Sequence, residues 1–131
     1  MLLLTLSPSL IASDATLYER LGGKTVMVRV VEEAIDKTAA NPVTKRAFDK
    51  VDLKKLKPKI FEHLCHITGG ECEYSGDSMK LVHQGMDISD AEFFGMVQEL
   101  RNALDNAGVA QDAKNELLRI LAPMKRDIVT K

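Results

Sequence analysis

Tryptophan is missing from the chain and aromatic residues make up only 5% of it, so any core has to be aliphatic and rich in the six methionines. The two cysteines, Cys65 and Cys72, are too few and too widely spaced for a structural zinc site. They read as reduced thiols of a reducing compartment, with a disulfide as the alternative. No sign of charge prevails: 18 basic against 19 acidic residues leave a net charge of -1, which argues against nucleic acid or an acidic membrane as the main partner. No apolar run is long enough to span a bilayer. Residues 1–12 come nearest, but they lack Lys and Arg, and Ser7-Pro8 interrupts the run early. They are expected to be an apolar leader that frays or packs on the surface, with export as the lesser alternative to a cytoplasmic location. Alternating patterns of strand length are absent too, which leaves an all-α protein.

What remains suits one soluble domain. At 131 residues, 45% hydrophobic and 28% charged, the chain can bury one good core but not two. Ser13 or Asp14 can cap a short helix over 15–21, stopped by Gly22-Gly23. Over 24–39, Met27, Val30, Val31, Ala34 and Ile35 recur at helical spacing. Asn41-Pro42 opens a short helix ending near Phe48. Ile60, Leu64 and Ile67 stripe a further helix, with Leu56 and His63 alongside; Pro58 suits only a first turn, so this helix should begin near Lys57. Ser89 and Glu92 form a capping box before Phe93, Met96, Val97, Leu100 and Leu104. A last helix should run from Asp112 to Ile128, kinked at Pro123.

Between the second glycine pair and the capping box lies the segment with most chemistry. Met79, Val82 and Met86 fall on one helical face, with His83 at its border and Gly85 as a stop. A histidine in that setting is either a hydrogen-bonded core residue or a ligand.

The motifs Leu17-Tyr-Glu-Arg-Leu-Gly-Gly23, Phe48, Thr68-Gly-Gly70, Tyr74-Ser-Gly76 and Val82-His-Gln-Gly85 occur in an order and spacing that resembles the group I truncated haemoglobins. The likeness runs from about Thr16 to Val129 and so makes 13–131 a single truncated globin domain. It implies a two-over-two helical sandwich around haem b (iron protoporphyrin IX), with His83 as proximal iron ligand and the Ile60 helix on the distal side. Leu56 to His63 would cover about 10 Å as a helix, the scale of a haem. Phe48 matches a phenylalanine near the ring. Met79, Val82, Met86, Ile88, Phe93 and Met96 would wall the pocket, a role that plain core packing also satisfies. Lys59 and Tyr74 stand where the family often partners the haem propionates; a solvated lysine is the plain alternative for Lys59.

The chain departs from its family at the distal side. Ile35 occupies the usual tyrosine position and Ala34 precedes it where phenylalanine is common, while Leu56 and Ile60 stand where glutamines are frequent. None of these can donate a hydrogen bond to a diatomic ligand that gains partial negative charge, a loss of about 1–3 kcal/mol. The polar residues left are Lys59, His63 and His66. His63 shares the haem-facing side and is the favoured internal sixth ligand; Lys59 is its rival, although an ammonium must shed its proton before binding iron whereas imidazole is mostly neutral at pH 7. His66 reads as a surface contact and Cys65 as a small buried filler.

The resemblance therefore implies a monomeric haem protein that binds oxygen, nitric oxide or carbon monoxide, with an electron-donating reductase as a candidate partner. Alternatives are a haem redox enzyme (nitric-oxide dioxygenase, nitrite reductase or peroxidase-like) and a helical interaction module without cofactor.

Overall fold

Thr16, not Ser13 or Asp14, caps the first helix. Its hydroxyl accepts the Glu19 N–H at 3.1 Å, and α1 spans Leu17–Arg20. The structure, a computed structural model, describes residues 14–131; Ser13 and the expected leader lie outside the described residues.

α2 spans Gly23–Ala40 and buries Met27, Val30, Val31, Ala34, Ile35 and Thr38, the stripe expected from spacing with one threonine added. That threonine is satisfied locally, since its hydroxyl donates to the Ala34 carbonyl at 2.6 Å. After α2 the Asn41 side chain accepts the Val43 N–H at 2.9 Å, and a single 3-10 turn, Lys45–Phe48, replaces the expected short helix.

α3 spans Leu53–Ile67 and begins before Lys57, so Leu56 lies inside the helix. The Asp52 side chain caps it by accepting the Lys54 N–H at 3.0 Å. Pro58 is tolerated in the interior because the donor it lacks would have met the carbonyl of Lys54, and both residues are exposed, where water can serve instead.

α4 is a single turn, Met79–Val82, capped by Ser78. α5 spans Asp90–Asn106 and carries the complete Ser89–Glu92 capping box. The expected last helix is divided at Pro123 into α6 (Gln111–Leu121), a 3-10 turn (Ala122–Met124) and α7 (Lys125–Ile128). Among the described residues the one β-type pairing is an isolated parallel bridge between Ile88 and Val129.

α2 is the hub, packed against both α5 and α3; α1 lies on α6, and α4 on α7. Leu21, Met27, Val30, Ile35, Leu104 and Leu117 are almost fully buried where these helices meet. Each such side chain contributes about 1.5–3 kcal/mol on leaving water. Lys57 reaches from α3 to Glu32 (2.9 Å) and Asp36 (2.8 Å) of α2, which fixes the pair at its edge.

The cysteines correct the sequence reading: Cys65 and Cys72 form a disulfide, their Cα atoms 5.8 Å apart. The turn that joins them explains it. Gly69 adopts φ +88°, and the Gly70 N–H donates to the Cys65 carbonyl at 2.8 Å, so the chain reverses onto the end of α3. A Cβ on Gly70 would stand 2.5 Å from Cys65 Sγ and 3.0 Å from the Tyr18 ring. Only glycine lets the backbone pass there.

Candidate functional site

His83 caps the C-terminus of α4, and its ring Nδ1 lies 2.7 Å from the Met79 carbonyl oxygen. A carbonyl only accepts, so Nδ1 is the donor; in the neutral ring the lone pair then sits on Nε2. Gly85 at φ +80° and Asp87 at φ +52° turn the chain away directly afterwards. α4 therefore ends before Met86, and Met79, Val82 and Met86 do not share one helical face as expected. Met79 and Met86 are half-buried, whereas Val82 is 42% exposed.

The turn after His83 is held from across the molecule by a residue that sequence reasoning passed over. Arg46 donates to the Met86 carbonyl at 3.1 Å and to the Asp87 carbonyl at 3.4 Å. The same guanidinium meets Glu92 in a fork, with both bonds at 2.9 Å. That pairing, with the Ser89 backbone and hydroxyl behind it, holds the Glu92 carboxyl below the ordinary carboxylate range. The sequence signalled Glu92 only as a helix cap; nothing in it linked that cap to Arg46. Ile88, expected as a pocket wall, is buried and anchors the Val129 bridge.

On the facing side, Ile35 and Ala34 of α2 are 1% and 3% exposed, and Leu56 and Ile60 of α3 lie half-buried against the same core. His63 is half-buried, its ring centroid 4.9 Å from that of Tyr74. Burial, and secondly the neighbouring His66, push its imidazole below the usual histidine range, so it is neutral at pH 7. The Tyr74 hydroxyl donates to the Asp77 carbonyl at 2.6 Å. Lys59 donates to the Ser75 hydroxyl, which in turn donates to Glu62 at 3.0 Å. His66 is exposed, as expected, and its Nδ1 donates to the Cys72 carbonyl at 3.0 Å.

These residues fit a haem. α3 packs chiefly on α2 rather than on α4 or α5. Phe48, Leu56, Ile60, Met79, Met86, Phe93 and Met96 are left half-covered, apolar surface of the kind a flat hydrophobic cofactor needs. Metal-bound histidines ordinarily give their other ring N–H to a carbonyl or carboxylate, the state in which His83 is held. An all-α fold with such a lining and such a histidine defines the class: a helical haem protein.

The comparisons narrow the class. The bacterial-like globin family profile matches residues 16–130. A group 1 truncated haemoglobin of Mycolicibacterium paratuberculosis is 33% identical over 119 residues, covering 91% of this chain and 88% of the relative. The crystal structure of the Tetrahymena pyriformis truncated haemoglobin, Fe(III) form, superposes with a TM-score of 0.85 at 26% identity, covering 89% of this chain and all of that one (100%). A 2/2 haemoglobin of a Synechococcus species, solved in the cyanomet state with covalently attached haem, gives 0.82 at 27% identity, covering 89% and 100%. The chain belongs to the bacterial-like globins, in their group I truncated haemoglobin branch. Its fold is the two-over-two helical sandwich, and its function is haem-based binding of diatomic gas ligands. Among the described residues no helix is long and apolar enough to cross a membrane.

Proposed function

We propose that His83 is the proximal ligand of a haem b held between α3 and the α4–α5 segment, and that the protein binds oxygen, nitric oxide or carbon monoxide reversibly in an apolar distal pocket. The observation that carries this reading is the short bond from His83 Nδ1 to the Met79 carbonyl, which orients the ring and leaves Nε2 for the metal. When bound, the haem iron supplies the coordination site for the gas. Phe48, Leu56, Ile60, Met79, Val82, Met86, Phe93 and Met96 exclude water from the cofactor faces, with Ile88 anchoring the loop behind them. Lys59 and Tyr74 would be the partners of its propionates.

His63 is the internal candidate for the sixth position in preference to Lys59. It is neutral already, whereas Lys59 is engaged by Ser75 beside Glu62. The protein acts as a monomer and draws electrons from a reductase. Cytoplasmic residence stands as a proposal against which the Cys65–Cys72 bond weighs, because disulfides persist mainly in oxidising compartments.

Haem titration of the purified chain tests the reading. A Soret band should develop stoichiometrically in the parent and be lost or greatly weakened in His83→Ala; normal haem content with an unchanged spectrum in that variant would refute it. With Cys65 and Cys72 reduced, low-spin six-coordinate bands should vanish in His63→Ala and persist in Lys59→Ala, and the reverse outcome hands the distal role to lysine. Of the enzymatic alternatives, nitric-oxide dioxygenation is disfavoured by the missing donors at Ile35, Leu56 and Ile60; turnover of nitric oxide measured beside simple oxygen release separates the two.

A further inference from the structure

We propose that the Cys65–Cys72 disulfide is a redox latch on the distal side of the haem site: closed, it holds Tyr74 against His63, and its reduction frees His63 to reach the iron. The inference rests on the reading of His63 as internal distal ligand.

The geometry is that of a zipped turn. Beyond Gly69-Gly70 the chain runs back along the last turns of α3, and its cross-connections come in register. Cys65 bonds Cys72; two residues further from the turn on each side, His63 meets the Tyr74 ring; next to that, Glu62 accepts from Ser75. The disulfide is the one covalent rung. The other rungs are an aromatic contact and exposed polar bonds, each of which is weak where water competes. With the covalent rung in place, closure of the short turn is prepaid and the weak rungs form together. With it opened, they must hold the loop by themselves.

Tyr74 is the positioning residue. Its hydroxyl is fixed to the Asp77 carbonyl, so the ring is braced from the loop side, and it lies against the imidazole that has to swing if it is to bind a metal. Pinned there, His63 stays off the sixth position and leaves it to gas ligands. Released, it competes with them.

The chemistry needs only a dithiol reductant. One of its thiolates attacks the sulfur of Cys72, which is half-buried, while Cys65 is 1% exposed and leaves as the thiolate. The second thiol of the reductant resolves the mixed disulfide. The reductant departs as its own disulfide, and Cys65 and Cys72 become two thiols after taking up two protons. A compartment that reduces the pair therefore yields a gas site with an internal competitor, and one that oxidises it yields an open site.

The haem-loaded full chain decides the matter in two readouts. Hydrogen exchange of the amides over 71–78 reports the loop; the ferric visible spectrum reports coordination. Dithiothreitol treatment followed by alkylation and desalting, or the variant Cys72→Ser, should speed loop exchange several-fold and raise the low-spin six-coordinate fraction several-fold over the oxidised parent. Tyr74→Leu should raise that fraction with the disulfide intact, and Tyr74→Phe, which keeps the ring but loses the hydroxyl brace, should raise it less. Loop exchange and spectrum that ignore reduction overturn the latch. If His63→Ala removes the low-spin bands but reduction does not change them in the parent, the latch alone fails. Low-spin bands that persist in His63→Ala overturn the assignment of His63 on which it rests.

Discussion

A distal pocket is defined by single atoms, and at Ile35 the decisive atom is a missing hydroxyl. Ile35 is 1% exposed in the core beside Ala34, and Leu56 and Ile60 add only carbon to the same side. A diatomic ligand that draws electron density gains no donor from any of them. Ile35→Tyr should supply one, at the cost of crowding a fully buried position. Oxygen release should slow by roughly 5- to 150-fold, the equivalent of about 1–3 kcal/mol for a bond to a partly charged acceptor. Stopped-flow displacement of oxygen by carbon monoxide measures the rate, and far-UV circular dichroism verifies that the overpacked variant is folded. An unchanged rate in a folded variant means that a donor is already present, with His63 the first suspect.

At the scale of elements, the most legible helix end is the start of α5, where two side chains make the cap between them. Ser89 and Glu92 stand three residues apart and cap each other, so their pattern is the structure. The start of α3 was not legible, because the rule against interior proline assumes that the lost bond matters, and at Pro58 it opens to solvent. The single helical face from Met79 to Met86 failed for the opposite reason: apolar spacing continued past Val82, but the backbone turned at Gly85. The disulfide depended on a chain reversal that a count of intervening residues does not contain. His83 and His63 were singled out from spacing and family likeness, whereas Arg46, which acts at a distance in sequence, was not. The capping box makes a test of its own. Ser89→Ala should cost about 1 kcal/mol of stability. Glu92 adds a pH signature: its folded-state carboxyl titrates below its unfolded value of about 4.3, so its stabilisation is present above that pH and is lost as pH falls through the folded value. Urea midpoints measured from pH 7 down to 3 should therefore fall less steeply in Glu92→Gln than in the parent; parallel curves would show that the Arg46 pair adds nothing.

At the scale of the whole molecule, the fold is a set of helices gathered on α2. α2 buries its stripe against α5 and α3, yet the apolar residues proposed to line the haem site remain half-covered. A ligand that binds only the folded chain stabilises it by mass action, about 2.7 kcal/mol at a free concentration a hundredfold above Kd. For a domain of this size that amounts to a rise in Tm on the order of 10 °C. The haem-free chain should accordingly melt well below the haem-loaded one, and the difference should grow with added haem. His83→Ala should remove most of the difference while leaving the haem-free Tm close to that of the parent, because His83 lies at the end of a single turn outside the buried core. Differential scanning calorimetry on four samples, parent and variant with and without haem, gives the answer. Should the parent melt at one temperature in both states, these half-covered residues do not form a haem site.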